Sequence, residues 1–155
     1  MKISKAFSIL IILMLPAGWS FGQTDDLRKK HFNSKQGVVL EGFDPVSYFD
    51  GNPLEGNPKT KFLYKGLTYH FASQANFEKF SSSPEKFEPA YGGWCAYAMG
   101  ETGEKVKIDP ETYKILDGKL FVFYNFWGNN TLSQWNKSEK KLKETADRNW
   151  KETMH

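Results

Sequence analysis

The sequence predicts an α+β domain: a small antiparallel sheet of hairpins, short helices, and a C-terminal amphipathic helix. Three observations carry this. Two β-prone runs, 61–71 and 111–125, each break at a two-residue turn, Lys65-Gly66 and Asp117-Gly118. The tail from 131 to 152 places Trp135, Leu142, Ala146 and Trp150 at separations of seven, four and four, which is one helical stripe. Aromatic residues make up 16% of the chain, a composition that argues for a packed core and against disorder.

The chain opens MKISKAFSILIILMLPAGWSFGQ. Lys2 and Lys5 form a basic start, Ala6 to Leu15 is a continuous run of apolar or small residues, and Ser20 and Gly22 are small residues placed for cleavage before Gln23. This is the layout of a secretory signal peptide, and the run is shorter than the roughly 20 residues a membrane span needs. The expected product is secreted or periplasmic, without a membrane span. Removing residues 1–22 leaves 133 of the 155 residues and takes two lysines away, so the formal charge falls from +3 to +1. A near-neutral mature chain gives no reason to expect nucleic acid as a partner. With a single cysteine no internal disulfide can form, so packing must supply the stability.

The remaining elements follow in order. Residues 24–32 read as a short helix with Thr24 as its cap, Asp25 and Asp26 in its first turn and lysines in its last. Residues 37–53 read as extended chain broken by turns, with Asp44 and later Asp109 each capping a turn ahead of a proline. A turn at Lys65-Gly66 sets Tyr64 against Leu67, Phe62 against Tyr69 and Lys61 against His70. Alternation then buries Phe62, Tyr64, Leu67, Tyr69 and Phe71 and sends His70 to the opposite face. Ser73 is placed to cap a helix carrying Phe77 and Phe80, and Pro84 to start a short turn that brings Phe87 inward. The second hairpin sets Ile115 against Leu120 and Tyr113 against Val122, while Leu116, Phe121 and Phe123 make its other face apolar as well. A strand apolar on both faces is central in its sheet or covered on both sides.

Five segments taken in order, VVLEGFDPVSYF (38–49), YKGLTYHFAS (64–73), NFEKFSSSPEKFEPAYGGWCAYAMG (76–100), IDPETYKILDGKLFVFYN (108–125) and ADRNW (146–150), resemble the YHS-domain family in its longer exported form. The resemblance divides the chain into a signal peptide (1–22), an N-terminal segment (23–37) and a YHS-like domain (38–152). It implies a compact α+β domain and binding of a transition metal such as copper or zinc. In short YHS modules that suggestion rests on paired cysteines, in DPVC and FCSxxC. Here Ser47, Ala72 and Asn76 stand at those positions, and a hydroxyl, a methyl and a carboxamide are poor ligands for soft metals.

The remaining thiol, Cys95, lies in YGGWCAYAMG. A free cysteine packs most often as a small buried hydrophobe, and Tyr91, Trp94 and Tyr97 supply bulk around this one. It could instead be a metal ligand, with Met99 one helical turn on and His70 as further donors, or a nucleophile with His70 as base. His70 meets Cys95 only if the tail folds over its face of the hairpin. Met99 equally reads as core filler. No HExxH, CxxC or telling carboxylate pair is present. The sequence thus favours a non-enzymatic exported module that binds a small ligand or metal ion near Cys95. An accessory module docking on an envelope protein and a thiol enzyme are the alternatives.

Overall fold

The structure, a computed structural model, describes residues 20–155, with side chains from Thr24 onward. The apolar run of the expected leader lies outside the described residues. Helix α1 spans Ser20–His31. It starts before Thr24, so that residue sits inside the helix instead of capping it. Strands β1 (Ser34–Lys35) and β2 (Val38–Val39) follow, then the hairpin β3 (Asn57–Tyr64) and β4 (Leu67–Phe71). Together they form a four-stranded sheet in the order β1-β2-β4-β3, antiparallel except where β2 runs parallel to β4.

The first hairpin has the expected register: Tyr64 pairs with Leu67, Phe62 with Tyr69 and Lys61 with His70. Lys65 (φ 45°) and Gly66 (φ 79°) both take left-handed backbone, the geometry of a type I′ turn. Leu67, Tyr69 and Phe71 are buried on one face, while Leu63 on the other is 70% exposed. Helix α2 (Gln74–Ser82) is capped by Ser73, whose hydroxyl accepts from the Asn76 backbone N–H at 3.1 Å. It lowers Phe80 onto the sheet, where Tyr69 (4.7 Å), Phe71 (5.2 Å) and Phe62 (6.1 Å) surround its ring. Helix α3 (Pro84–Phe87) begins at the proline and buries Phe87.

Helix α4 (Ala96–Glu101) leads into the second hairpin, β5 (Asp109–Leu116) and β6 (Lys119–Phe123), again with the expected pairs. It makes a separate two-stranded sheet. Strand β6 is therefore not central in a wide sheet; it is covered on both sides. Leu120 and Val122 enter the core beneath the first sheet, and Phe121 and Phe123 enter a second core. The ribbon β7 (Asn125–Phe126) and β8 (Asn129–Asn130) then precedes α5 (Thr131–Trp135) and α6 (Glu139–Thr153).

The tail is thus two helices where the periodicity predicts one. Asn136, Lys137 and Ser138 interrupt it, and Asn and Ser compete with helical backbone for hydrogen bonds. The stripe survives the break: Trp135, Leu142 and Ala146 all pack in the second core, with Trp150 at its margin. Glu139 fastens the corner, accepting from Trp135 Nε1 at 3.0 Å and pairing with Lys114. The Lys114 hydrogen bond is the main reason its carboxyl titrates below the usual range. A carboxyl depressed in the folded state contributes stability above its unfolded value of 4.5, and that contribution is lost as pH falls through the folded value. Glu139→Gln should therefore flatten the acid limb of the urea-midpoint profile below pH ~4.5 and leave its slope near neutrality unchanged.

Helix α1 is held to this body by Arg28. Its guanidinium pairs with Glu88, donates to the Lys65 carbonyl at 3.2 Å and lies 4.3 Å over the Phe32 ring. The Tyr69 hydroxyl also donates to Glu88, and burial, followed by that carboxylate, pushes the phenol's pKa well up.

Candidate functional site

Ser47, Ala72 and Asn76, the three positions compared above with cysteines, lie together in space. They gather on Asp44, which is fully buried. One carboxylate oxygen accepts from the Val46 N–H at 2.8 Å, the turn cap the sequence predicts. The other accepts from the Ala72 N–H at 2.9 Å and from Asn76 Nδ2 at 2.7 Å. Ser47 donates its hydroxyl to the Asp44 carbonyl at 2.7 Å and accepts from the Leu54 N–H at 3.0 Å. The centre is a closed polar network without a thiolate, thioether or imidazole, so its donor set does not fit a soft metal ion. Among the described residues no group of three or more His, Cys, Asp or Glu side chains is arranged to hold a metal.

Cys95 lies elsewhere, at the entry to α4, and its residue is completely buried. Two anchors fix its backbone: its N–H donates to the Val106 carbonyl at 3.0 Å, and it bridges to Val122 of β6. The preceding YGG explains how the chain arrives there. Tyr91, Gly92 and Gly93 are three successive left-handed residues (φ 52°, 60° and 82°) that turn the backbone sharply. The turn is stitched to the end of α1: Asn33 donates to the Gly92 and Gly93 carbonyls, both at 2.9 Å, and Trp94 Nε1 donates to the His31 carbonyl at 2.7 Å.

The sulfur sits in a closed cycle of hydrogen bonds. The Tyr124 N–H donates to Sγ at 3.4 Å, and Sγ lies 3.4 Å from Thr131 Oγ1. Thr131 spends its one hydroxyl proton on the Tyr124 carbonyl at 2.8 Å. A carbonyl can only accept, so the proton between Cys95 and Thr131 comes from the thiol. Thr131→Val would remove both side-chain bonds and leave the thiol without its acceptor, while the Tyr124 carbonyl keeps the backbone N–H of residue 131, which donates to it at 3.0 Å. The substitution should destabilise the domain by about 1–3 kcal/mol in urea unfolding. Adding Cys95→Ala to that variant should cost less than the two single changes combined.

Beside the sulfur is a hollow of about 250 Å³, walled by Tyr97, Ala98, Val106, Tyr124 and Thr131. Its walls are largely apolar, and the exposed Glu101 and Glu104 stand at its rim. It shares Tyr97, Glu101 and Asn129 with a larger groove of about 740 Å³, lined also by Gln134, Lys137 and Lys141. The two adjoin at those three residues; the hollow is the more apolar and the groove the more polar.

The other two residues considered as metal donors lie apart from this hollow. Met99 is buried in the second core with Phe121, Phe123 and Trp135, whereas Cys95 belongs to the first. His70 faces a different groove, beside Lys35, Glu41 and Glu55, and partial burial, then Lys61, lowers its pKa. The helices of the tail pack on α4 and β6 and do not fold over the outer face of β4, so the structure does not bring Cys95, Met99 and His70 together. Thr131, whose one sequence signal is the N-x-T pattern of Asn129-Asn130-Thr131, supplies the side chain that hydrogen-bonds the sulfur.

The architecture defines a small α+β domain with two cores divided by one strand. Within it, residues 45–91 match the family model of the YHS domain, which supports the YHS family for this chain. The matched segment contains Ser47, Ala72 and Asn76 and ends before Cys95. No curated protein and no solved structure matches the chain.

Proposed function

We propose that this protein is an exported, non-catalytic binding module, and that the hollow beside Cys95 receives a small uncharged apolar group of its ligand. The observation that carries the reading is the pairing of an apolar hollow with a sulfur whose hydrogen bonds are already closed. An enclosed apolar cavity of about 150 Å³ binds benzene; this hollow is open to solvent and has room for a group of that size, with a volume of about 250 Å³. A soft cation at the sulfur would have to displace the Thr131 and Tyr124 contacts and find its other donors among side chains that are poor ligands for it.

Indole is a suitable probe. Followed by NMR, it should cause saturable shifts at Val106, Tyr124 and Thr131, and Ala98→Leu, which fills the hollow, should abolish them. Absence of saturable shifts in the unmodified domain would refute the reading. Tight Cu(I) or Zn²⁺ binding lost in Cys95→Ser would replace it with a metal site. Export has its own check: protein recovered from the envelope or medium should have the mass of a chain starting at Gln23, and a retained leader would contradict it.

A second reading, docking on another envelope protein, is favoured by one feature. Trp127 is 88% exposed at the tip of the β7–β8 ribbon, with left-handed backbone (φ 51°) that is unusual for a bulky residue. Lys107 lies 5.2 Å from its ring and Phe126 5.9 Å. A strained, exposed tryptophan is the kind of side chain that anchors an interface.

A further inference from the structure

We infer that the end of α1 and the segment between α4 and β5 form a site for a tetrahedral oxyanion of the phosphate or sulfate type, held by Lys30, His31 and Lys105. The inference is independent of the hollow. It starts from a close contact between two basic groups: Lys105 Nζ lies 2.8 Å from His31 Nδ1. An ammonium can only donate, so Nδ1 accepts and the neutral imidazole carries its proton on Nε2. Protonating Nδ1 would remove that bond and set two donors face to face. Lys30 adds a third basic group. Partial burial first, then Lys105 and Lys30, hold the His31 pKa below its ordinary value, and partial burial, then Lys30, lowers that of Lys105. Neither lysine forms an ion pair among the described residues.

The last turn of a helix favours cations, and α1 carries Arg28, Lys29, Lys30 and His31 there. Arg28 pairs with Glu88 and Lys29 with Asp26, which leaves Lys30. A helix end offers roughly half an elementary charge, too little to offset two ammonium groups beside an imidazole. The His31 carbonyl is moreover engaged by Trp94 Nε1 at 2.7 Å. A tetrahedral dianion supplies the missing counter-charge, and its oxygens accept in several directions, as donors from two chain segments require. Bound there, it would tie α1 to the segment carrying Val106, whose carbonyl holds the Cys95 N–H.

Sulfate is the probe, because it stays doubly charged across the range in which histidine titrates. The imidazole resonances of His31 are followed by NMR in sulfate and in chloride at matched ionic strength. His70, which faces another groove and pairs across its hairpin with Lys61, is the internal reference. Sulfate should cause a saturable shift at His31 and raise its titration midpoint by more than that of His70. Contacts between exposed charges are individually modest, so Lys30→Gln and Lys105→Gln should each weaken binding about two- to five-fold, and the double variant should abolish it. Lys105→Gln should also raise the His31 midpoint in chloride, since it removes a neighbouring cation. Both lysines are exposed, so the variants should fold. Inorganic phosphate and methyl phosphate then show whether the group is read as a free ion or as part of a larger molecule. Equal responses at His31 and His70, sulfate acting no differently from chloride, or saturable binding that survives the double substitution would each overturn the inference.

Discussion

Asp44→Ala should destabilise the domain by about 2–4 kcal/mol, because it leaves one buried and two partly buried N–H donors without their acceptor. The carboxylate has no solvent exposure, and three donors converge on it: the Val46 N–H, the Ala72 N–H and the Asn76 amide. Alanine would leave all three without that acceptor, the Val46 N–H in a buried position and the other two in partly buried ones. It would also loosen the entry to α2, whose first turn contains Asn76. Asp44→Asn keeps the shape but turns an N–H₂ group toward donors, so it should recover only part of the loss. Urea unfolding of the three proteins measures this directly. A loss below about 1 kcal/mol for Asp44→Ala would show that the network is not what holds the 44–76 region together.

Gly92→Ala should cost about 2–5 kcal/mol, from two sources that act together. The backbone at φ 60° is left-handed, which costs an ordinary residue about 1–2 kcal/mol. A Cβ there would also lie 2.7 Å from the ring of Trp150 and 3.0 Å from that of Phe32, and overpacking a filled site adds about 1–3 kcal/mol. Those rings come from α6 and from the end of α1 and meet edge to face, with centroids 5.7 Å apart. Displacing them should part both terminal helices from the YGGW turn. The loss should therefore appear first as faster amide exchange near Asn33 and Trp94, whose bonds tie the turn to α1. A stability within 0.5 kcal/mol of the parent would contradict this role.

The fold was readable where a local rule decides it. Lys65-Gly66 and Asp117-Gly118 set both hairpin registers because a two-residue turn leaves one pairing. The apolar residues on both faces of the second hairpin limit its strands to the centre of a sheet or to cover on both sides, and β6 takes the second form. What was not readable depends on contacts between distant residues. Asp44 reads as a turn cap because its bond to Val46 is local, whereas its bonds to Ala72 and Asn76 span 28 and 32 positions, and Ala72 contributes only backbone. Thr131 reaches Cys95 across 36 positions, and no motif pairs the two. The parity of His70 was clear, but which face the tail covers is settled by packing onto α4. The break at Asn136–Ser138 was hidden because Trp135 keeps the stripe's spacing on both sides of it.

The central claim is that Cys95 serves as a packed wall of a binding hollow and not as a reagent. Its rate of modification by an aromatic disulfide reagent, measured in the folded domain across increasing urea, tests this most directly. The account predicts that modification is slow in the absence of urea and accelerates in step with global unfolding. Prompt modification of the native protein, independent of urea, would contradict it.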